Sequence, residues 1–161
     1  MLDTLGYQNI IPALMEFVPE IRDGYALMKE EYVSGGSLWD AQDYEEMSYS
    51  YAPDKFLEEQ HTPGVTIVLE HLLVPLIIAL SHDARGSARL TEIMKWLEKA
   101  SNNADVDNAV AISICEPLIT TYQSKIEAIY PYMGKKVREM CIMQFPEYKI
   151  SEATKRIFGV S

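Results

Sequence analysis

The sequence predicts an all-α protein, a compact bundle of roughly six to eight helices with antiparallel, helical-repeat-like stacking. Three observations carry this reading. Apolar residues recur at spacings of three and four, the period of a helix face. Pro, Gly, Ser, Thr and Asn stand at the borders of those segments, where helices start and stop. No stretch alternates apolar and polar residues between turn signals, as a paired strand would.

The elements follow in order. In "VPEIRDGYALMKEEYV", Pro19 suits a first helical position, and Ile21, Tyr25, Met28 and Tyr32 share one face. Gly35-Gly36 interrupts the chain. Ser37, with Asp40 three residues later, resembles a capping box for a short helix through 38–48, and Pro53 starts another that ends near Gln60. Thr62 as cap and Pro63 as first residue open the long apolar run "VTIVLEHLLVPLIIAL", Val65 to Leu80. That run is too long for a typical strand and predicts a buried central helix. Pro75 should kink it by depriving the His71 carbonyl of its donor. After "SHDARGS", Leu90, Ile93, Met94, Leu97 and Ala100 make an amphipathic stripe. "SNNAD" breaks the chain and caps the next helix, "DVDNAVAISICEPLITTYQSKIEAIY", apolar nearly all round before Pro117 and amphipathic after it. Gly134 to Gln144 reads as one more helix, and Ser151 and Gly159 bracket the last. No fixed period runs through the elements, which argues against a repeat array.

One domain over 1–161 is expected, with an acidic helical portion at 1–60 and the central buried helix and C-terminal helices at 61–161. Apolar content of 48% and charged content of 24% are those of a folded chain, which excludes global disorder. The start, "MLDTLGYQNI", carries Asp3 and no basic cluster, unlike a secretory signal. The longest apolar run contains Glu70 and His71 and falls short of a membrane span. Cys115 and Cys141 are too few and too far apart for a zinc site or a disulfide framework. Their apolar surroundings predict buried, reduced thiols and a cytoplasmic protein.

Catalytic patterns are missing from the sequence. His61, His71 and His82 have no partner at metal-ligand spacing, and "LEHLL" lacks the second His of a zinc helix. Glu70-His71 reads as a satisfied core pair; with His82 it is the first place to look should the chain be an enzyme. No GxSxG occurs, and "GKK" at Gly134–Lys136 lacks the Gly-rich loop of a phosphate cradle, so it reads as a solvated helix start. The pairs Glu45-Glu46 and Glu58-Glu59 are adjacent and do not converge on one helix face. Met94, Met133, Met140 and Met143 read as core filling, with a groove for a partner helix as the alternative. A protein without catalytic activity, metal or cofactor is the expectation.

Charge is more informative. The net charge is −10, and residues 1–60 hold 13 acids against three bases, Arg22, Lys29 and Lys55, so the whole excess lies there. Residues 61–161 hold 11 of each sign and are neutral. This polarity repels nucleic acid and anionic membranes and favours a basic protein partner. The acids crowd around "WDAQDYEEMSYSY", residues 39–51, which has no positive charge. One reading is a solvated surface helix, with Trp39 and Met47 turned inward and the acids outward. It does not account for Tyr49 and Tyr51, which alternate with Ser beside a proline. The other reading is an interface: Tyr and Trp bury large rigid surfaces at small entropic cost, and carboxylates around them speed encounter with a basic partner. Its residues are Trp39, Asp40, Asp43, Tyr44, Glu45, Glu46, Tyr49 and Tyr51, extended by Asp54, Glu58 and Glu59.

The segment "LTEIMKWLEKASNNADVDNAVAISICEPL", Leu90 to Leu118, joins an amphipathic helix, an Asn/Asp-rich turn and "DNAVAISICEPL". It resembles small all-helical immunity proteins encoded beside bacterial polymorphic toxins, including those of contact-dependent growth inhibition systems. The resemblance implies a cytoplasmic, non-catalytic protein that binds one cognate toxin domain one-to-one and neutralises it. The acidity points to a basic nuclease as that toxin. Two alternatives stay open: a helical adaptor or scaffold with several weaker partners, and a homodimer formed through the exposed rings.

Overall fold

The computed structural model describes residues 5–33 and 63–160, and all regular structure among them is helical. Helices α1 (Ile10–Phe17) and α2 (Arg22–Val33) are joined by a 3-10 turn at Pro19–Ile21. Then come α3 (65–81), α4 (Ser87–Ala100), α5 (107–119), α6 (Ile126–Ile129), α7 (Lys135–Gln144) and α8 (Glu152–Ile157). No helix among the described residues is long and apolar enough to cross a membrane.

The centre is a two-by-two array. Helix α3 folds back onto α4, α5 packs against α7, and the pairs stack so that α3 meets α5 and α4 meets α7. The stripe on α4 drives this: Leu90, Ile93, Met94, Leu97 and Ala100 are all buried. Removing such side chains from water contributes roughly 1.5–3 kcal/mol for each large one. Opposite them lie Leu69, Leu73 and Ile77 of α3 and Ile114, Leu118 and Ile119 of α5, in one continuous core. Helix α1 buries Ile10 and Leu14, four residues apart on one face, and packs on the start of α3.

Helices α3 and α5 are built alike. Each opens with four α-helical residues (Val65–Val68, Asp107–Val110), widens into a five-residue π segment (Leu69–Leu73, Ala111–Cys115), and resumes as α-helix with proline second (Pro75, Pro117). The widening is closed by five-residue bonds, from the Val74 N–H to the Leu69 carbonyl and from the Glu116 N–H to the Ala111 carbonyl. Proline lacks an N–H and crowds the carbonyl four residues back, so a wide turn just before it relieves the clash without ending the helix. The disturbance expected at Pro75 thus takes the form of a π turn. The two π segments pack against each other. The construction recurs at an offset of 42 residues (65 to 107, 75 to 117), although the sequences share little beyond Val68/Val110 and the "PLI" at 75–77 and 117–119. Here the repeat lies in backbone hydrogen bonding, which a search for sequence period does not see.

Several boundaries differ from expectation. Helix α3 starts at Val65 with an extended Gly64 as its N-cap, two residues after the expected start at Pro63. Nor is it buried all round: Glu70, His71, Pro75 and Ala79 face solvent. The residue that caps α5 is Val106, without a side-chain cap, while Asn103 of "SNNAD" accepts from the Asp105 N–H and donates to the Leu5 carbonyl. The helix expected to run to Tyr130 ends at Ile119. Thr120 leaves the helical region (φ −113°, ψ −82°), and its hydroxyl donates to the Glu116 carbonyl at 2.7 Å. Such local bonding by a β-branched residue competes with helix continuation. The last helix matches its brackets: the Ser151 hydroxyl accepts from the Thr154 N–H at 3.1 Å. At the other end Gly159, at φ 70°, lets Val160 and Gly159 donate to the Lys155 and Arg156 carbonyls, a Schellman stop.

Candidate partner-binding face and its support

All the residues expected at the partner face (Trp39, Asp40, Asp43, Tyr44, Glu45, Glu46, Tyr49, Tyr51, Asp54, Glu58 and Glu59) lie outside the described residues, as do the short helices expected over 38–60. The structure shows what stands on either side of them in the chain: α2 before and α3 after. On α2, Tyr25 and Met28 pack half-buried against the core, as the helix-face reading requires, and Ile21 just before it is fully buried. Burial raises the Tyr25 phenol above its ordinary value. A Cβ at Gly24 would stand 2.9 Å from Leu72, so α2 rests closely on α3.

The outer side of α2 continues the chemistry of the acidic stretch. Leu27 is 63% exposed, and Asp23, Glu30 and Glu31, four before, three after and four after it, are exposed as well. Residues at those spacings neighbour one another on a helix surface. The described structure therefore carries an apolar side chain among three carboxylates, on the helix that precedes in sequence the stretch holding more of both. Arg22 and Lys29 accompany them; the Arg22 Nε donates to the Met15 carbonyl at 2.7 Å, and the Lys29 ammonium lies 4.9 Å from the Tyr25 ring centre.

This N-terminal portion is fixed to the array by Arg89 of α4. Its guanidinium donates to both Glu20 oxygens at 2.9 Å, to the Phe17 carbonyl at 2.6 Å and to Glu92 at 3.0 Å. It also lies 5.2 Å from the Phe17 ring, which stacks on Trp96 at 5.9 Å. A two-pronged Arg–carboxylate pair fixes orientation as well as distance. Arg89 holds the Glu20 carboxyl below its ordinary value, chiefly through this hydrogen bond.

The other candidate sites take different places. Glu70 and His71 are both exposed on the π segment of α3, so they are not a core pair; His82 is exposed at the end of that helix. Among the described residues no three His, Cys, Asp or Glu side chains converge in a manner that could hold a metal ion. "GKK" is a helix start, as expected, with Gly134 as N-cap and the Lys135 side chain in solvent, but its backbone N–H groups are not left to water. The N-terminus of α7 is occupied by Glu98 of α4, whose two oxygens accept from the Lys136 and Val137 N–H groups at 2.6 and 3.0 Å. Gly134 makes room for it, since a Cβ there would fall 2.3 Å from the Glu98 carboxyl carbon. The protein's own carboxylate fills the anion position that a helix N-terminus offers. Met94, Met133 and Met140 fill the core, whereas Met143 is 76% exposed. Cys115 and Cys141 are buried free thiols that the fold brings onto the facing helices α5 and α7.

Sequence reasoning missed Arg89, Glu98 and Gln123. Gln123 donates to the Lys149 carbonyl and accepts from the Ser151 N–H and the Thr154 hydroxyl, which pins the approach to α8. Each acts across 26 residues or more, beyond any local pattern. Compared with known proteins, the chain matches no family model, no curated protein and no solved structure.

Proposed function

We propose that this protein is a cytoplasmic immunity protein: a non-catalytic, one-to-one inhibitor of a basic toxin domain, with a nuclease as the toxin class its acidity fits best. The observation that carries the reading is the division of charge. Residues 63–160 form a helical array with acids and bases in balance, while the chain before it holds the whole excess of ten negative charges. A neutral, well-packed array serves as the support, and the acidic portion is the working face. The exposed Leu27 among Asp23, Glu30 and Glu31 is consistent with that division, because apolar anchors inside a charged rim are how protein interfaces combine affinity with steering. Trp39, Tyr44, Tyr49 and Tyr51 would supply the anchors, and Asp40, Asp43, Glu45, Glu46, Asp54, Glu58 and Glu59 the field. Carboxylates would stand where a nuclease holds phosphates, and rings where it holds bases.

The test is capture at low salt with the tagged full chain in an extract of its own host, followed by native mass spectrometry. A single one-to-one complex with a basic domain, weakened by added salt, is the expected result. Several substoichiometric partners would replace this reading with an adaptor, and a self-dimer alone would make the aromatic stretch an oligomer contact.

A further inference from the structure

Cys115 and Cys141 stand far apart in sequence, yet the fold makes them neighbours. Cys115 ends the π segment of α5, and its Sγ lies 3.8 Å from the Val137 carbonyl of α7. In an α-helix that carbonyl accepts the N–H of the residue four on, which is Cys141. Both thiols are free and fully buried. The neighbouring Cys141 thiol, together with burial, pushes the Cys115 thiol well above its ordinary value. No cysteine other than these two occurs in the chain, so neither has a competing intramolecular partner.

We propose that Cys115 and Cys141 are a redox pair that closes into an intramolecular disulfide under oxidation by hydrogen peroxide, fastening α5 to α7. One sulfur, as thiolate, attacks a peroxide oxygen; the O–O bond breaks, water leaves, and a sulfenic acid forms. The second sulfur then attacks the first, the S–S bond forms, the S–O bond breaks, and a second water leaves. Two electrons and the two thiol protons pass to one peroxide. Burial and the raised Cys115 thiol keep the thiolate scarce, so the reaction proceeds through transient opening of the α5–α7 contact and is slow in the closed fold. Once formed, the bond closes a loop between positions 115 and 141 that contains α6.

The test uses the full chain, treated with hydrogen peroxide with and without low denaturant, then alkylated under unfolding conditions and weighed intact. The expected product has lost two hydrogens, takes up no alkylating agent, maps to a Cys115–Cys141 bond and keeps its helical circular dichroism. Its melting temperature should exceed that of the reduced chain by about 10 °C and return on treatment with dithiothreitol. Cys115→Ala and Cys141→Ala each should abolish the gain, and either variant suffices should the other not fold. Free thiols after treatment in low denaturant, separate sulfinic acids, disulfide-linked dimers or an oxidised chain without helical signal would each overturn the proposal.

Discussion

At the scale of single residues, stability depends on polar groups that reach across the chain. Glu98 satisfies two N–H groups at the start of α7, and Gly134 leaves the space for it. Gly134→Ala should therefore cost about 1–3 kcal/mol by displacing the carboxylate, read as a lower urea midpoint with an unchanged slope. Glu98→Gln should cost less, since one of its two oxygens is kept as an acceptor. A second prediction concerns acid. Arg89 holds the Glu20 carboxyl below the ordinary glutamate value, so its contribution is complete above that ordinary value and is lost as pH falls through the lower, folded one. Thermal melts across that range should show a smaller acid-induced loss for Glu20→Gln than for the parent chain. An equal loss would place the acid sensitivity elsewhere. Neither residue was legible in the sequence, because the partners of Glu98 lie 38 and 39 positions away and nothing local marks them. The α4 stripe was legible, since its period of three and four is itself the mark of burial.

Among the helices, termini with their own chemistry were legible and interior breaks were not. Ser151 and Gly159 announced α8 because a hydroxyl cap and a left-handed glycine are local devices. Ser151→Ala should cost about 1 kcal/mol, and Gly159→Ala a similar amount, since an L side chain at φ 70° is strained. Differential scanning calorimetry would check both. The end of α5 at Thr120 was missed because "LITTYQSKI" keeps a helical apolar period while the Thr120 hydroxyl bonds back along the chain. The paired π turns were half legible: proline marks where strain enters, but only packing shows that two widened turns meet. Ile114, fully buried in the second π segment, lies in the core shared by the two stacked helices. Ile114→Ala should lower stability by about 2–5 kcal/mol, measurable in urea titration.

For the molecule as a whole, the fold class followed from the sequence because helical period and punctuation recur along the chain, while the acidic face was legible only as composition. That stretch lies outside the described residues, and which of its rings and carboxylates would meet the proposed partner depends on tertiary placement. The reading as a salt-sensitive inhibitor rests on polarity of charge, so its most direct test is kinetic. Association of the captured basic partner with the parent chain and with the Asp40→Asn, Asp43→Asn, Glu45→Gln, Glu46→Gln variant should be followed by stopped flow over a range of salt concentrations. The account predicts that the variant associates at least about tenfold more slowly at low salt and that its rate depends less steeply on salt, with dissociation little changed. An association rate and salt dependence equal to those of the parent chain would contradict it.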